Sequence, residues 1–160
     1  MIVDVDLNNQ HSEVTVNMTP QVNPSIFQFL NTLKDNNNRE WFAENKDYYL
    51  EEEEKIKSFF TSIFQGIQSV DKLEGMKAYR IYRDVRFSKD KTPYKDHLGG
   101  SFTRATAARR GGYFLGIQPG NKSIIAGGFW NPESTDIKRV REELALDPSD
   151  FRKIINAKKF

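Results

Sequence analysis

Apolar residues in the middle of the chain recur every three or four positions. Between residues 56 and 70 they lie at i, i+3, i+4, i+7, i+8, i+11 and i+14: Ile56, Phe59, Phe60, Ile63, Phe64, Ile67 and Val70. This spacing places them on one side of an α-helix and predicts an amphipathic helix packed on a core. Four glutamates at 51–54 come just before this stripe. We expect them at a solvated helix start, which favours carboxylates, rather than in a metal site.

Two shorter helices are predicted ahead of this one. Asn23 followed by Pro24 is typical of an N-cap and a first helical residue, and apolar residues follow at 26, 27, 29, 30 and 33. Asn38 is expected to cap a second helix, with Glu40 in its first turn. Residues 1–22 alternate only weakly between apolar and polar positions. We expect them to form a polar leader and residues 23–160 to form a single domain.

After Gly75 the period of the pattern changes from 3.6 to two, which predicts strands. Alternation over 79–87 predicts a strand with two distinct faces. One face carries Tyr79, Ile81, Arg83, Val85 and Phe87, and the other carries Arg80, Tyr82, Asp84 and Arg86. Residues 98–103 predict a short strand. Residues 112–130 predict a hairpin, because Pro119 and Gly120 suit the central positions of a type II turn.

Two short helices are expected after the hairpin, the second with Asp147 as its cap and Pro148 as its first residue. Helices, then a run of strands, then helices indicate an α+β fold. The predicted architecture is an N-terminal helical layer packed on a mainly antiparallel sheet, with short C-terminal helices.

Charge is distributed unevenly along the chain. The 160 residues carry a net charge of +2, but ten Lys/Arg and three Asp lie between Lys77 and Arg110, which gives this segment +7 and the remainder −5. Such local positive charge attracts and steers anionic partners. The chain has no cysteine, which excludes disulfides, thiolate metal sites and cysteine nucleophiles. The sequence shows neither a secretory signal pattern nor an apolar run of membrane length, so we expect a cytoplasmic protein without a membrane partner.

Seven residues of this basic segment are candidates for binding an anion: Arg80, Arg86, Lys89, Lys91, Lys95, Tyr82 and Tyr94. The arginines offer planar donor forks to phosphate or carboxylate, the lysines add point charges, and the tyrosines add hydroxyl donors or stacking surfaces. We expect the five cations to form one exposed concavity with Tyr94 at its rim. The structural alternative is an ion-pair ladder, because Asp84 lies two residues from Arg86 and four from Arg80.

Arg83 shares its predicted strand face with apolar residues, so we expect its guanidinium to be buried. An unpaired buried charge is very costly and requires an acidic partner. Glu40 is the partner that we prefer, and with Asp84 it completes the predicted structural ion pairs. His97 stands near Asp90 and Asp96, but this spacing is not that of a metal site, and none is predicted.

Two dense motifs carry a resemblance to a known family. They are Asn36-Asn-Asn-Arg-Glu-Trp-Phe42 and Arg80-Ile-Tyr-Arg-Asp-Val-Arg-Phe-Ser-Lys-Asp-Lys-Thr-Pro-Tyr-Lys95. With the glycine-aromatic runs at 111–114 and 127–130, they make residues 24–160 resemble the uncharacterised bacterial family called domain of unknown function 2461. The resemblance implies no activity, because the function of that family is not established. Its members continue past the position that ends this chain, so we expect the chain either to be truncated or to diverge from the family there.

Three functions fit these patterns. The preferred one is binding of a phosphate-bearing small molecule or nucleic acid through the basic strand and loop. The second is an enzyme acting on an anionic substrate, with Asp84 or Asp90 as the acid–base group and Tyr82 or Tyr94 as proton donor. The third is a structural or interaction domain in which the basic motif is a salt-bridge network. The sequence leaves catalytic residues, cofactors and oligomeric state open.

Overall fold

The computed structural model describes residues 20–106 and 110–158, and within them helices and strands follow in the predicted order. The helices are α1 (Pro24–Asp35), α2 (Arg39–Glu44), α3 (Lys46–Gln68), α4 (Ser134–Leu146) and α5 (Ser149–Ile155). The strands are β1 (Leu73–Ala78), β2 (Leu98–Arg104), β3 (Gly112–Ile117) and β4 (Ile124–Gly128). The α+β prediction is confirmed. Residues 1–19, which make up most of the predicted polar leader and its weak strand pattern, lie outside the described residues.

The N-terminal helices begin where their caps predict. The Asn23 side chain accepts a hydrogen bond from the Ser25 N–H (3.0 Å), and the Asn38 side chain accepts one from the Trp41 N–H (2.8 Å). The expectation that the glutamates at 51–54 lie at a helix start is wrong, because α3 begins earlier, at Lys46. They therefore lie inside the helix, and Glu52 is buried rather than solvated, with only 1% of its surface exposed.

The four strands form one antiparallel sheet in the order β1-β2-β3-β4. α3 packs across β1 and β2, and α1 packs against α3. The core lies between these helices and the sheet, where Phe60 meets Phe102 edge-on at 6.1 Å between ring centroids. Among the described residues, no helix is long and apolar enough to span a membrane.

The predicted strand over 79–87 is wrong. β1 ends at Ala78, and beyond it a single isolated bridge pairs Tyr82 with Tyr94. The Arg83 N–H donates to the Pro93 carbonyl (2.9 Å) and the Lys95 N–H to the Ile81 carbonyl (2.8 Å). The pairing stops there, because proline has no N–H with which to continue a ladder. Alternation of side chains is consequently lost, and Phe87 is 97% exposed.

The hairpin over 112–130 and the presence of two C-terminal helices are confirmed. The predicted start of the second helix is wrong by one residue, because α5 begins at Ser149 with Pro148 as its N-cap, and Asp147 is the C-cap of α4. β3 and β4 pair antiparallel, and the turn between them contains Gly120 at φ +74° and Asn121 at φ +60°. Glycine adopts this left-handed region without the steric cost that other residues carry. α4 and α5 are both described in full, and neither contains a buried residue.

Candidate anion-binding site

The basic segment from Tyr79 to His97 connects β1 to β2, and Asn37 joins it to the loop between α1 and α2. The Asn37 amide donates to the Tyr94 carbonyl (3.0 Å) and its carbonyl oxygen accepts from the Tyr94 N–H (3.1 Å). Asn37 therefore acts as a backbone-like partner for residue 94. The asparagine-rich motif and the basic motif, which are far apart in sequence, meet at this point.

Tyr94 is an anchor of the fold. It is 5% exposed, and its ring stacks on that of Phe42 with centroids 4.0 Å apart. Its predicted place at the rim of an exposed concavity is therefore corrected: burial of the aromatic ring against α2 holds it inside. Tyr82 lies beside it, at 5.4 Å between centroids, but remains about half exposed.

Arg83 pairs with a carboxylate, as predicted, but the carboxylate belongs to Asp90 and not to Glu40. Its guanidinium also donates to the Thr92 hydroxyl (2.6 Å), and its side chain is 27% exposed rather than buried. The Thr92 N–H donates to Asp90 (2.9 Å). This hydrogen bond, together with those from the Arg83 guanidinium and the Thr92 hydroxyl, lowers the pKa of Asp90 to about 2. Glu40 lies exposed on α2.

Asp84 forms an ion pair with Arg86, two residues after it in the sequence. Nε and Nη2 of Arg86 donate to the two carboxylate oxygens at 2.9 and 2.6 Å, a bidentate arrangement. The Arg86 N–H adds a third bond to the same carboxylate (3.2 Å), and these bonds lower the pKa of Asp84. The donor fork of Arg86 is thus occupied, which agrees with the ion-pair alternative for this arginine.

The lysines of the segment contact backbone carbonyls or lie exposed, whereas Arg83 and Arg86 pair with carboxylates. The Lys91 ammonium donates to the Val85 carbonyl (2.9 Å), the Lys95 ammonium donates to the Arg80 carbonyl (2.8 Å), and Lys89 lies exposed. Among the residues that the structure describes, no ion pair within 4.0 Å involves these three lysines or Arg80. Burial, followed by the charge of Arg80, lowers the pKa of Lys95. Arg80 and Lys95 are therefore neighbouring cations without an ion pair among the described residues, although the charge of Arg80 contributes, after the Arg86 hydrogen bonds, to lowering the pKa of Asp84.

The cations do not share one concavity. Lys95 lines a cleft of about 420 Å³ together with Arg83, Asp84 and His97. Arg80 lines a second cleft of about 330 Å³, whose other wall is α3. This division follows from the loss of the predicted strand, since alternation no longer directs Arg80 and Arg86 to one face.

His97 lies beside Asp96, with Nδ1 3.2 Å from a carboxylate oxygen. The Gln118 amide donates to the other oxygen of Asp96 (2.9 Å), which connects the end of the basic segment to the turn after β3. Within the described parts of the chain, no group of three or more His, Asp or Glu side chains is placed to hold a metal ion.

Sequence reasoning missed the contribution of α3 to the site. Lys46 and Lys57 line the same cleft as Arg80, and so do Leu50 and Glu53. The apolar periodicity over 56–70 predicted this helix but gave no indication of which of its residues would face the basic segment. Only the packing of α3 on β1 and β2 brings them together.

The family resemblance is confirmed by comparison with known protein families. A search of curated proteins and a search of solved structures found no match. Residues 25–160, which are most of the chain, match the family described as "Conserved hypothetical protein (DUF2461)". The chain therefore belongs to the DUF2461 family of conserved hypothetical proteins.

Proposed function

We propose that the protein binds a phosphate-bearing ligand through Arg80 and Lys95. One observation carries the proposal: these two cations are neighbours, and neither has an ion-pair partner in the described residues. Two like charges held together destabilise each other. The pKa of Lys95 is lowered first by burial and second by the charge of Arg80, and the second cause is this repulsion. The two side chains line different clefts, and an anion that contacts both head groups would offset this repulsion.

The donors at this pair suit a phosphate group. The Lys95 ammonium uses one N–H on the Arg80 carbonyl, which leaves two for a ligand. The Arg80 guanidinium offers a planar fork that matches two phosphate oxygens. Tyr82 is exposed enough to add its hydroxyl. Lys89 and Lys91 would contribute to the local field, whereas Arg86 would have to release Asp84 before it could bind directly.

Calorimetric titration with inorganic pyrophosphate at low ionic strength tests the proposal. Removing either charge, in Arg80→Gln or Lys95→Gln, should weaken binding about 10- to 100-fold, because a hydrogen bond to a charged group contributes about 1.5–3 kcal/mol. Lys138→Gln is the matched control, since this substitution of an exposed lysine of α4 changes net charge equally, and the lysine pairs with the exposed Glu142 at 3.7 Å. Equal affinity in all four proteins, or no binding to the parent, would contradict the proposal.

Nucleic acid is a distinguishable outcome of the same measurement. Binding of a single-stranded oligonucleotide would fall steeply with salt, because each neutralised phosphate releases counterions. The net charge of −5 outside the basic segment disfavours a long polyanion, so the small ligand is the preferred form of the proposal.

The enzymatic hypothesis receives less support. A general base is most effective when its pKa lies near the working pH. The pKa values of Asp84 and Asp90 are both lowered, and each carboxylate is held by an arginine.

A further inference from the structure

The cleft of about 330 Å³ beside Arg80 lies between α3 and the start of the basic segment. Its deepest wall consists of buried core residues, among them Ile56, Phe60 and Leu98. Leu50 lies six residues before Ile56 on α3. It borders the cleft, and 43% of its surface is exposed. Tyr82, on the opposite side, is also partly exposed. The cleft thus has partly exposed apolar side chains, Leu50 and Tyr82, next to a cation.

The charge at the mouth of this cleft is positive. Three cations line it, Lys46, Lys57 and Arg80, against the single carboxylate of Glu53. Glu53 already accepts hydrogen bonds from the Tyr49 hydroxyl (2.5 Å) and the Lys57 ammonium (2.9 Å). Neither Lys46 nor Arg80 has an ion-pair partner among the described residues. An apolar wall beneath two unpaired cations is complementary to an amphipathic anion.

We propose that this cleft binds the planar apolar ring of an aryl phosphate whose phosphate group contacts Arg80. The inference rests on the proposed function, because Arg80 belongs to both sites. The volume lies at the lower end of the ~300–1,000 Å³ typical of ligand sites, which suits one or two rings. Tyrosine rings stack on planar ligands in offset or edge-on geometry, and Tyr82 presents its ring on this side.

Two probes separate the ring from the phosphate. Inorganic phosphate and phenyl phosphate are both largely dianionic at about pH 8, so they differ chiefly in the phenyl ring. Titrations followed by NMR chemical shifts should give about tenfold tighter binding of phenyl phosphate, the gain expected from partial burial of one ring. Arg80→Gln should weaken binding of both probes.

Leu50→Gln tests the apolar wall alone. It should remove most of the tenfold preference for phenyl phosphate and leave the affinity for inorganic phosphate unchanged. Leu146→Gln is the control, since this leucine is exposed at the end of α4 and its variant should bind both probes as the parent does. Glutamine favours helices, so both variants should keep their helical circular dichroism.

A second measurement does not depend on any variant. Ring currents from phenyl phosphate should shift the Leu50 and Ile56 methyl resonances of the unmodified protein, and inorganic phosphate should not. Equal affinities for the two probes, or methyl resonances that do not move, would overturn the inference and leave the proposed function standing. If neither probe binds and pyrophosphate does not bind either, both the proposed function and this inference would be overturned.

Discussion

Glu52 connects two helices through a buried carboxylate. One of its oxygens accepts a hydrogen bond from the Ser25 hydroxyl of α1 (2.7 Å), and the other accepts from the Lys55 ammonium of α3 (2.6 Å). Lys55 also donates to the Ser25 hydroxyl oxygen (3.2 Å), which closes a triangle of polar groups. A buried carboxylate is tolerated only when its oxygens are hydrogen-bonded. Position 25 is therefore more sensitive than its place near a helix end implies.

Ser25→Ala should lower the free energy of unfolding by about 1–3 kcal/mol, because it leaves one oxygen of the buried Glu52 without a donor. Ser58→Ala, at an exposed position of α3, should change it by less than about 0.5 kcal/mol. Urea denaturation followed by circular dichroism measures both. A Ser25 variant with the midpoint of the parent would show that Glu52 finds another donor or reaches water.

At the scale of single residues, predictions succeeded where the chemistry is local. Asn23 and Asn38 act within three residues, and both caps are confirmed. The partner of Arg83 could not be found in this way, because the turn that brings Asp90 to it depends on the Thr92 hydrogen bonds. The burial of Glu52 did have an indication in the sequence: it lies four residues before Ile56, on the same helical face as the apolar stripe.

At the scale of elements, the closest contact between α3 and the sheet requires a glycine. A Cβ atom at Gly100 of β2 would lie 2.9 Å from ring atoms of Phe60. That ring is fully buried and held edge-on against Phe102, so it has little room to move. The distance from helix to sheet is thus set by the absence of a side chain at this position.

Gly100→Ala should destabilise the protein by about 1–3 kcal/mol, the usual cost of overpacking a core. Gly75→Ala is the control in the neighbouring strand, where nothing lies within 4 Å of the added Cβ and φ is not in the left-handed region. There the substitution should be neutral or slightly stabilising, because alanine restricts the unfolded chain. Thermal unfolding compares the two, and equal losses of stability would contradict the role assigned to Phe60.

Periodicity predicted the elements whose partners lie next to them in sequence. The α3 stripe and the β3–β4 hairpin are of this kind. The alternation over 79–87 was insufficient, because a strand also needs a partner with free backbone donors, and Pro93 cannot supply one opposite Arg83. Asp84 further closes a local turn by accepting from the Arg86 N–H. Loss of the strand also separated the candidate anion-binding cations: Arg86 is paired with Asp84, whereas Arg80 and the three lysines have no ion pair among the described residues.

At the scale of the whole molecule, the core and the C-terminal helices differ in how they are held. The buried residues of the described chain belong to α1, α2, α3, the sheet and the basic segment. α4 and α5 bury none of theirs, and α4 is joined to the sheet region by Arg110, which pairs with Asp136 (2.7 Å) and Glu133 (3.7 Å). Exposed ion pairs of this kind contribute little, about 0–1 kcal/mol each.

This difference predicts unequal hydrogen exchange along the chain. A helix of about 13 residues is marginal in water without tertiary packing, so amides of α4 and α5 should exchange at least tenfold faster than those of α3. The helices are compared within one protein under one set of conditions. All three have helical backbone hydrogen bonds, and α4 and α5 differ from α3 mainly in apolar burial. Mass spectrometry of peptides covering residues 46–68 and 134–155 measures it.

Equal protection at all protein concentrations would show that α4 packs within the chain. Protection that rises with concentration would show instead that the apolar residues of α4 and α5, such as Val140 and Phe151, are covered by a second copy.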